Sequence, residues 1–400
     1  MSTHAVARTP EEWKASLAAR GERPFRAQQV FRWIHRHGVL EPDKMTDLAP
    51  PVRAWLADEG VGTVAETVKV HRSTDSTRKM LLRMGDGATI ETVMIPGTRG
   101  NDADVAAGDD DDDSDASADV VAGADALPGV IPGPNMGAST GRAVRGDRVT
   151  QCISTQVGCA MGCIFCASGV AGLKRHLGAH EIVAQVILGR TVLDPSEELR
   201  NIVLMGMGEP LHNYDATVRA LRLLTHPMGM NLSPRRITVS TSGLIPEIAR
   251  LGEDFAGQIS LAISLHAADD ETRTRLMPIN KKYPLPELMA ALRAYPLPKR
   301  RRIFIEYTLV AGKNDELTEA RKLARLLRDV PVKINLIPMN SIEASSLGAP
   351  AMERVHAFQQ SLIDDGYTCF VRKRRGDDVA AACGQLALLG AKPKVRVDRT

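Results

Sequence analysis

Cys159-Ala160-Met161-Gly162-Cys163-Ile164-Phe165-Cys166 gathers three thiols on one short loop, directly after Gln156-Val157-Gly158. Thiolates are soft ligands, and this C-x3-C-x2-C spacing suits an iron–sulfur cluster or zinc better than a disulfide framework. A four-iron cluster has one more iron than this loop has cysteines, so a cluster held here would leave one iron open to a substrate. Zinc would need a fourth protein ligand, for which His176 or His180 lies downstream.

Outward from that loop the sequence alternates apolar runs with amphipathic stretches. Strands are expected at 201–205, 236–240, 258–264, 303–309, 332–337 and 368–371, with helices over 181–192, 214–225, 285–295, 316–328 and 351–365 between them. Repeated βα units of this kind predict an α/β fold, either a parallel sheet or a full or partial barrel, with the chemistry at the carboxyl ends of the strands. Polar residues fall at those ends. Gly206-Met207-Gly208-Glu209-Pro210 follows the first strand; its glycines allow close backbone approach, and Glu209 could accept from an ammonium group. Ser240-Thr241-Ser242-Gly243, Ser264-Leu265-His266 and Pro338-Met339-Asn340 end three more strands, each offering hydrogen bonds to a sugar or amino-acid moiety.

With 400 residues, 44% of them hydrophobic, the chain can bury a large core and carry an accessory unit. No apolar run approaches eighteen residues, and the first residues lack the apolar core of a signal peptide. The expected location is therefore cytoplasmic, where clustered cysteines stay reduced and serve metals or catalysis. The formal charge of +3 averages two unlike parts. Residues 101–141 hold ten Asp and neither Lys nor Arg, so their −10 leaves +13 on the rest. A body that basic, with Lys299-Arg300-Arg301-Arg302 and Arg372-Lys373-Arg374-Arg375, suits either a solvated face or a phosphate-backbone partner.

Five segments follow from these shifts in pattern: a helical accessory domain over 1–65, a small β segment over 66–98, an acidic insertion expected to be disordered over 99–147, the α/β core over 148–387 and a tail over 388–400. The first segment offers Arg20, Arg23, Arg26, Arg32, His35 and Arg36 as a basic rim. In the second, Glu91 lies among apolar residues of a strand; alone, it reads as a solvent-facing position. Cys369 reads as a small buried hydrophobe. Cys152 and Cys383 carry no such default once their neighbours are considered.

Those neighbours, Glu91-Thr92-Val93-Met94-Ile95-Pro96, Cys152 through Cys159, Gly206 through Pro210, Ser264 through Ala267, Arg375 through Asp378 and Ala382-Cys383-Gly384-Gln385, resemble the RlmN branch of the radical S-adenosylmethionine (SAM) RNA methyltransferases. The likeness covers nearly the whole chain apart from the acidic insertion and the tail. It implies a radical-SAM partial β/α barrel with an N-terminal helical domain. It implies a [4Fe-4S] cluster on Cys159, Cys163 and Cys166, and SAM bound by Gly208, Glu209, Ser240, Ser264, Leu265, His266 and Asn340. The implied activity is methylation of carbon 2 of adenine in large-subunit (23S) rRNA and in tRNA. Cys383 would carry the methyl group, Cys152 would release the product through a disulfide, and Glu91 would take a proton. An electron donor such as flavodoxin or ferredoxin is implied too; a monomer with no membrane association is expected. Two alternatives stay open: methylation at carbon 8 of the same adenine, and a zinc-stabilised RNA-binding protein without catalysis.

Overall fold

The apolar runs from residue 147 onward form seven parallel strands in a computed structural model that describes residues 3–97, 147–342 and 345–386. They are β4 (Asp147–Cys152), β5 (Glu197–Leu204), β6 (Ile237–Thr241), β7 (Ser260–Ser264), β8 (Ile303–Leu309), β9 (Val332–Pro338) and β10 (Cys369–Val371). Every residue of β6 and β8 is buried, because helices cover one face and the barrel interior the other. Three antiparallel strands precede them: β1 (Ala65–Arg72), β2 (Arg78–Met84) and β3 (Thr89–Pro96). They extend the same sheet, since β3 pairs with β4 through Val93↔Cys152 and Ile95↔Thr150. The sheet runs β1 to β10 in chain order, and among the described residues its two edge strands do not meet. This is an open, partial barrel, the architecture that the resemblance implies. The 99–147 insertion lies outside the described residues except for Asp147, and the tail lies outside them entirely.

The two parts of the sheet are fastened by charge. Arg78 of β2 is fully buried, donates from Nη1 to the Val192 carbonyl (2.6 Å) and pairs with Glu197 at the start of β5. Glu91 on β3 is also buried, against the solvent-facing reading, and lies 2.9 Å from Lys79 Nζ. Alternation fails as a guide there because β3 is covered on both faces, with burial continuous from Ile90 to Met94.

The N-terminal region is helical, as expected: α1 (Pro10–Ala18), α2 (Phe25–Phe31) and α3 (Pro50–Asp58). A capping box starts α1, with the Thr9 N–H donating to Glu12 Oε2 (2.8 Å) and the Glu12 N–H to Thr9 Oγ1 (3.3 Å). Glu12 also receives Arg219 (2.8 Å) from the core helix Tyr214–Thr225. Of the expected basic rim, Arg20, Arg23, Arg32 and Arg36 are exposed and Arg26 is half-buried. His35 is the correction: it is fully buried, its ring 4.3 Å from Phe31, and burial drives its pKa down to about 3. It belongs to the packing between this region and the core. No helix among the described residues is long and apolar enough to cross a membrane.

Candidate active site

All the parallel strands point their carboxyl ends the same way, and there two cavities share a wall. The first is lined by Cys159, Cys163 and Cys166 on one side and by Gly208, Glu209, Ser240, Ser264, His266 and Asn340 on the other. The second is lined by Cys152, Thr150 and Ile95 and by Arg372 to Arg375. Met205, Ile337, Asn340, Arg372 and Cys383 belong to both. Cys383 is exposed and lines both cavities.

Glu209 is buried and held by two backbone donors, Leu211 N–H to Oε1 (3.1 Å) and Ser242 N–H to Oε2 (2.7 Å). Burial raises its pKa while these bonds oppose the rise. A carboxylate has lone pairs beyond those two, so an ammonium could still be received. The glycines before it serve the protein itself as much as a ligand. A Cβ on Gly206 would lie 2.7 Å from the Ile153 carbonyl oxygen, and one on Gly208 would lie 2.6 Å from Gln156 Cβ. The β5 end is thus packed directly on the segment leading to the cysteine loop. Gln156 completes the joint: its Oε1 accepts from the Glu209 N–H (2.9 Å), and its Nε2 reaches His176 and His212.

Ser240 Oγ and Ser264 Oγ are 3.4 Å apart across adjacent strands. His266 has left-handed backbone (φ 58°), its ring set edge-on to Phe165 of the cysteine loop. Its Nδ1 accepts from the Thr308 N–H (2.8 Å), so the neutral ring carries its proton on Nε2; burial and then Arg273 bring its pKa down to about 3. Leu265 differs from its neighbours. It lines neither cavity: its side chain is in the apolar core, and its N–H donates to the Glu306 carbonyl (3.0 Å). Asn340 donates to the Cys383 carbonyl (3.0 Å), while its Oδ1 is buried without a partner.

Burial pushes the cysteine-loop thiols up, Cys159 to about 12 and Cys163 further, so a cationic group is needed to hold them as thiolates. Among the described residues, no three His, Cys, Asp or Glu side chains converge closely enough for a single metal ion. His180 stacks on His4 (3.9 Å) and His176 is taken by Gln156. The three cysteines line one cavity that neither His176 nor His180 lines, so the donor set there is three thiols, which fits a cluster with one iron left open and lacks the fourth ligand of a closed zinc site. The unpartnered Asn340 Oδ1 and Ser242 Oγ fit a polar ligand such as SAM in the same cavity.

Two family models match the chain: the Radical SAM superfamily over residues 153–324, and the ribosomal RNA large subunit methyltransferase N-terminal domain over residues 8–61. It is 68% identical to the dual-specificity RNA methyltransferase RlmN of Sorangium cellulosum, across 98% of this chain and 97% of that one. The chain belongs to the RlmN family. Against the RlmN of Geobacter sulfurreducens, identity is 40% across 94% of this chain and 89% of the relative. A crystal structure of a radical SAM methyltransferase from Sphaerobacter thermophilus superposes with a TM-score of 0.80 at 40% identity, covering 96% of this chain and 99% of that one. An RlmN protein is a radical SAM RNA methyltransferase with a [4Fe-4S] cluster and SAM as cofactors, and those are the cofactors of this chain.

Several residues that build this RlmN site are absent from the sequence reading. Arg273, fully buried, donates to the carbonyls of Leu265 (3.1 Å), Ser242 (2.7 Å) and Ser264 (3.3 Å) and to Asn280 Oδ1 (2.8 Å). It locks the ends of β6 and β7 together. Glu306 on β8 is buried, accepts from Asn335 (2.8 Å) and lines the first cavity beside Arg372. Glu91 lines neither cavity; it is on the same face of β3 as Ile95, which lines the second.

Proposed function

We propose that this enzyme methylates carbon 2 of adenine in 23S rRNA and in tRNA, consuming two SAM per turnover, with Cys383 as methyl carrier. The observation that carries the reading is the place of Cys383 in the wall between the cysteine-loop cavity and the cavity of Cys152. Carbon 2 of adenine and the methyl group of SAM are both electron-poor, so polar transfer between them has no driving force. When bound on Cys159, Cys163 and Cys166, the cluster with its SAM supplies hydrogen-atom abstraction from an unactivated methyl group.

The chain's own residues do the rest. Cys383 releases its proton, takes a methyl group by displacement and, once that methyl has lost a hydrogen atom, joins it to carbon 2. Glu91 receives the proton lost from carbon 2. The Cys152 thiolate attacks the Cys383 sulfur, the sulfur–carbon bond breaks with its electron pair going to the methylene carbon, that carbon takes up a proton, and the methylated base leaves. A Cys152–Cys383 disulfide remains. The adduct at carbon 2 gives up one electron as its proton leaves, matching the one electron that cleavage of a SAM would consume; the disulfide is two electrons more oxidised than the two thiols, so the reductant supplies two electrons and two protons to reset the pair. Gly208, Glu209, Ser240, Ser264, the backbone of Leu265, His266 and Asn340 bind SAM in this scheme. The target adenine is turned out of its stack into the second cavity, whose basic wall receives the backbone phosphates.

The enzyme acts in the cytoplasm as a monomer, with flavodoxin or ferredoxin supplying electrons. The test is anaerobic reconstitution with iron and sulfide, incubation with SAM, a reductant and protein-free ribosomal RNA, and mass spectrometry of the digested nucleosides. We expect 2-methyladenosine with 5′-deoxyadenosine as co-product. If 8-methyladenosine appeared instead, the regiochemistry would be wrong and the thiol roles would stand.

A further inference from the structure

Cys383 belongs to no helix or strand, yet its segment is tied down on three sides. Downstream, the Ala167 N–H donates to the Gly384 carbonyl (2.8 Å) and Ser168 Oγ to the Leu386 carbonyl (2.6 Å), fixing it to the turn after Cys166. Beneath, Asn340 donates to the Cys383 carbonyl (3.0 Å) and Gln385 to the Ser341 carbonyl (3.1 Å). Upstream, the ties come from the tip of the β1–β2 hairpin, 305 residues away in sequence. Ser73 Oγ donates to Asp378 Oδ1 (2.5 Å) and the Thr74 N–H to Oδ2 (3.2 Å). The Gly376 N–H donates to Asp75 Oδ2 (3.1 Å), and Lys79 Nζ to the Ala380 carbonyl (3.2 Å).

The hairpin tip is shaped for this contact. Asp75 Oδ1 accepts the Thr77 N–H (2.9 Å) and sets the turn, leaving Oδ2 for the loop. A Cβ at Gly376 would lie 2.9 Å from Thr77 Cγ2, so the loop approaches the tip as closely as a glycine permits. Gly376 (φ 62°) and Ala380 (φ 50°) are both left-handed; a non-glycine residue holds that conformation only where its surroundings enforce it. The loop's own turn bonds, Ala380 N–H to the Asp377 carbonyl (3.2 Å) and Ala381 N–H to the Gly376 carbonyl (2.9 Å), share that task with the hairpin's Asp75 and Lys79.

We propose that the Ser73–Thr77 tip is the positioning element of the Cys383 thiol: its grip on Asp378 and Gly376 keeps the sulfur in the wall between the two cavities. The inference deepens the reading of Cys383 as methyl carrier and rests on it. Asp378 and Ser73 touch no reacting atom; they act through the loop.

The test uses the anaerobically reconstituted holoenzyme, in which the cluster shields its own cysteines. Iodoacetamide labelling of Cys383 is followed by mass spectrometry in the wild type, Ser73→Ala, Asp378→Ala, the double variant and Ser73→Thr, with buried Cys369 as an internal control. Cys383 is already exposed, so its labelling rate reads where the thiol sits: loss of the grip should change that rate at least about fivefold, with Cys369 unchanged. The double variant should label as Asp378→Ala alone does, because both changes remove one contact. Ser73→Thr, which keeps the hydroxyl, should restore the wild-type rate. RNA methylation should fall about tenfold in both single variants through kcat, with KM for RNA held. Labelling within twofold of wild type in both single variants would overturn the proposal, as would altered labelling with unchanged kcat. If the wild type never carries methyl on Cys383, the methyl-carrier reading fails instead, and the labelling rates still decide whether the hairpin grips the loop.

Discussion

Cys152 and Cys383 border the same cavity and are held in opposite ways. Cys152 ends β4 and has ladder partners on both sides, Val93 of β3 and Val203 of β5; its carbonyl also accepts from Thr92 Oγ1 (2.8 Å). Cys383 has no ladder, only single bonds to the residues around its loop. A strand fixes a side chain to within the rigidity of the sheet, whereas a tethered loop can be set between two sites. A thiol that meets one partner suits the first arrangement; a thiol that must face two cavities suits the second.

The largest effect that would break this comparison is at Cys383. Cys383→Ala should reduce RNA methylation to background and yield no covalent RNA–protein species on a denaturing gel. Cys152→Ala should allow one round of attachment and stop there, so that a crosslink builds up to about one per enzyme while free product stays at background. An active Cys152→Ala enzyme that forms no crosslink would remove Cys152 from the release step.

A smaller and sharper distinction lies in pH. Burial, followed by the neighbouring Cys383, pushes the Cys152 thiol up to about 12. At neutral pH the attacking thiolate is then a small fraction of the whole, and that fraction grows about tenfold per pH unit until the thiol pKa is reached. Decay of a preformed crosslink should accordingly accelerate by close to that factor per unit between about pH 7 and 9. A flat profile would mean that a neighbouring base removes the proton in the same step.

What could be seen in the sequence was what chemistry places close along the chain. The cysteine loop, the Gly206–Glu209 turn and the strand-end serines are local patterns, and the βα alternation orders the strands that carry them. The invisible parts are those whose partners come from elsewhere. Arg273 and Gln156 resemble ordinary surface-compatible residues until the fold brings four acceptors to one and Glu209, His176 and His212 to the other. Glu91 and His35 were misleading for the same reason: charge suggests solvent, and only tertiary packing reveals that β3 has no open face and that His35 lies between Phe31 and the core. Leu265 shows the converse, a residue in a polar run whose side chain is core and which lines neither cavity.

The smallest expected effect separates the two basic clusters, which the sequence presents as equivalent. Lys299 to Arg302 immediately precede β8 and so lie at the amino ends of the strands, opposite the cavities. Arg372 to Arg375 follow β10 at the carboxyl ends and line the second cavity beside Cys152 and Cys383. An RNA whose adenine enters that cavity must lay adjoining phosphates along the second cluster, whereas the first can act only through the long-range field or a distant part of the fold. The pair Lys373→Ala and Arg374→Ala should weaken RNA binding several-fold and reduce the slope of log affinity against log salt by about 1 to 2, one lost phosphate contact per cation. The pair Lys299→Ala and Arg302→Ala should change affinity by less than about twofold at 150 mM salt, since exposed charges beyond a Debye length of the bound strand are screened. Equal slopes for the two pairs would mean that the RNA wraps past the mouth to the opposite end of the barrel, and that the cavity wall has no privileged share in holding it.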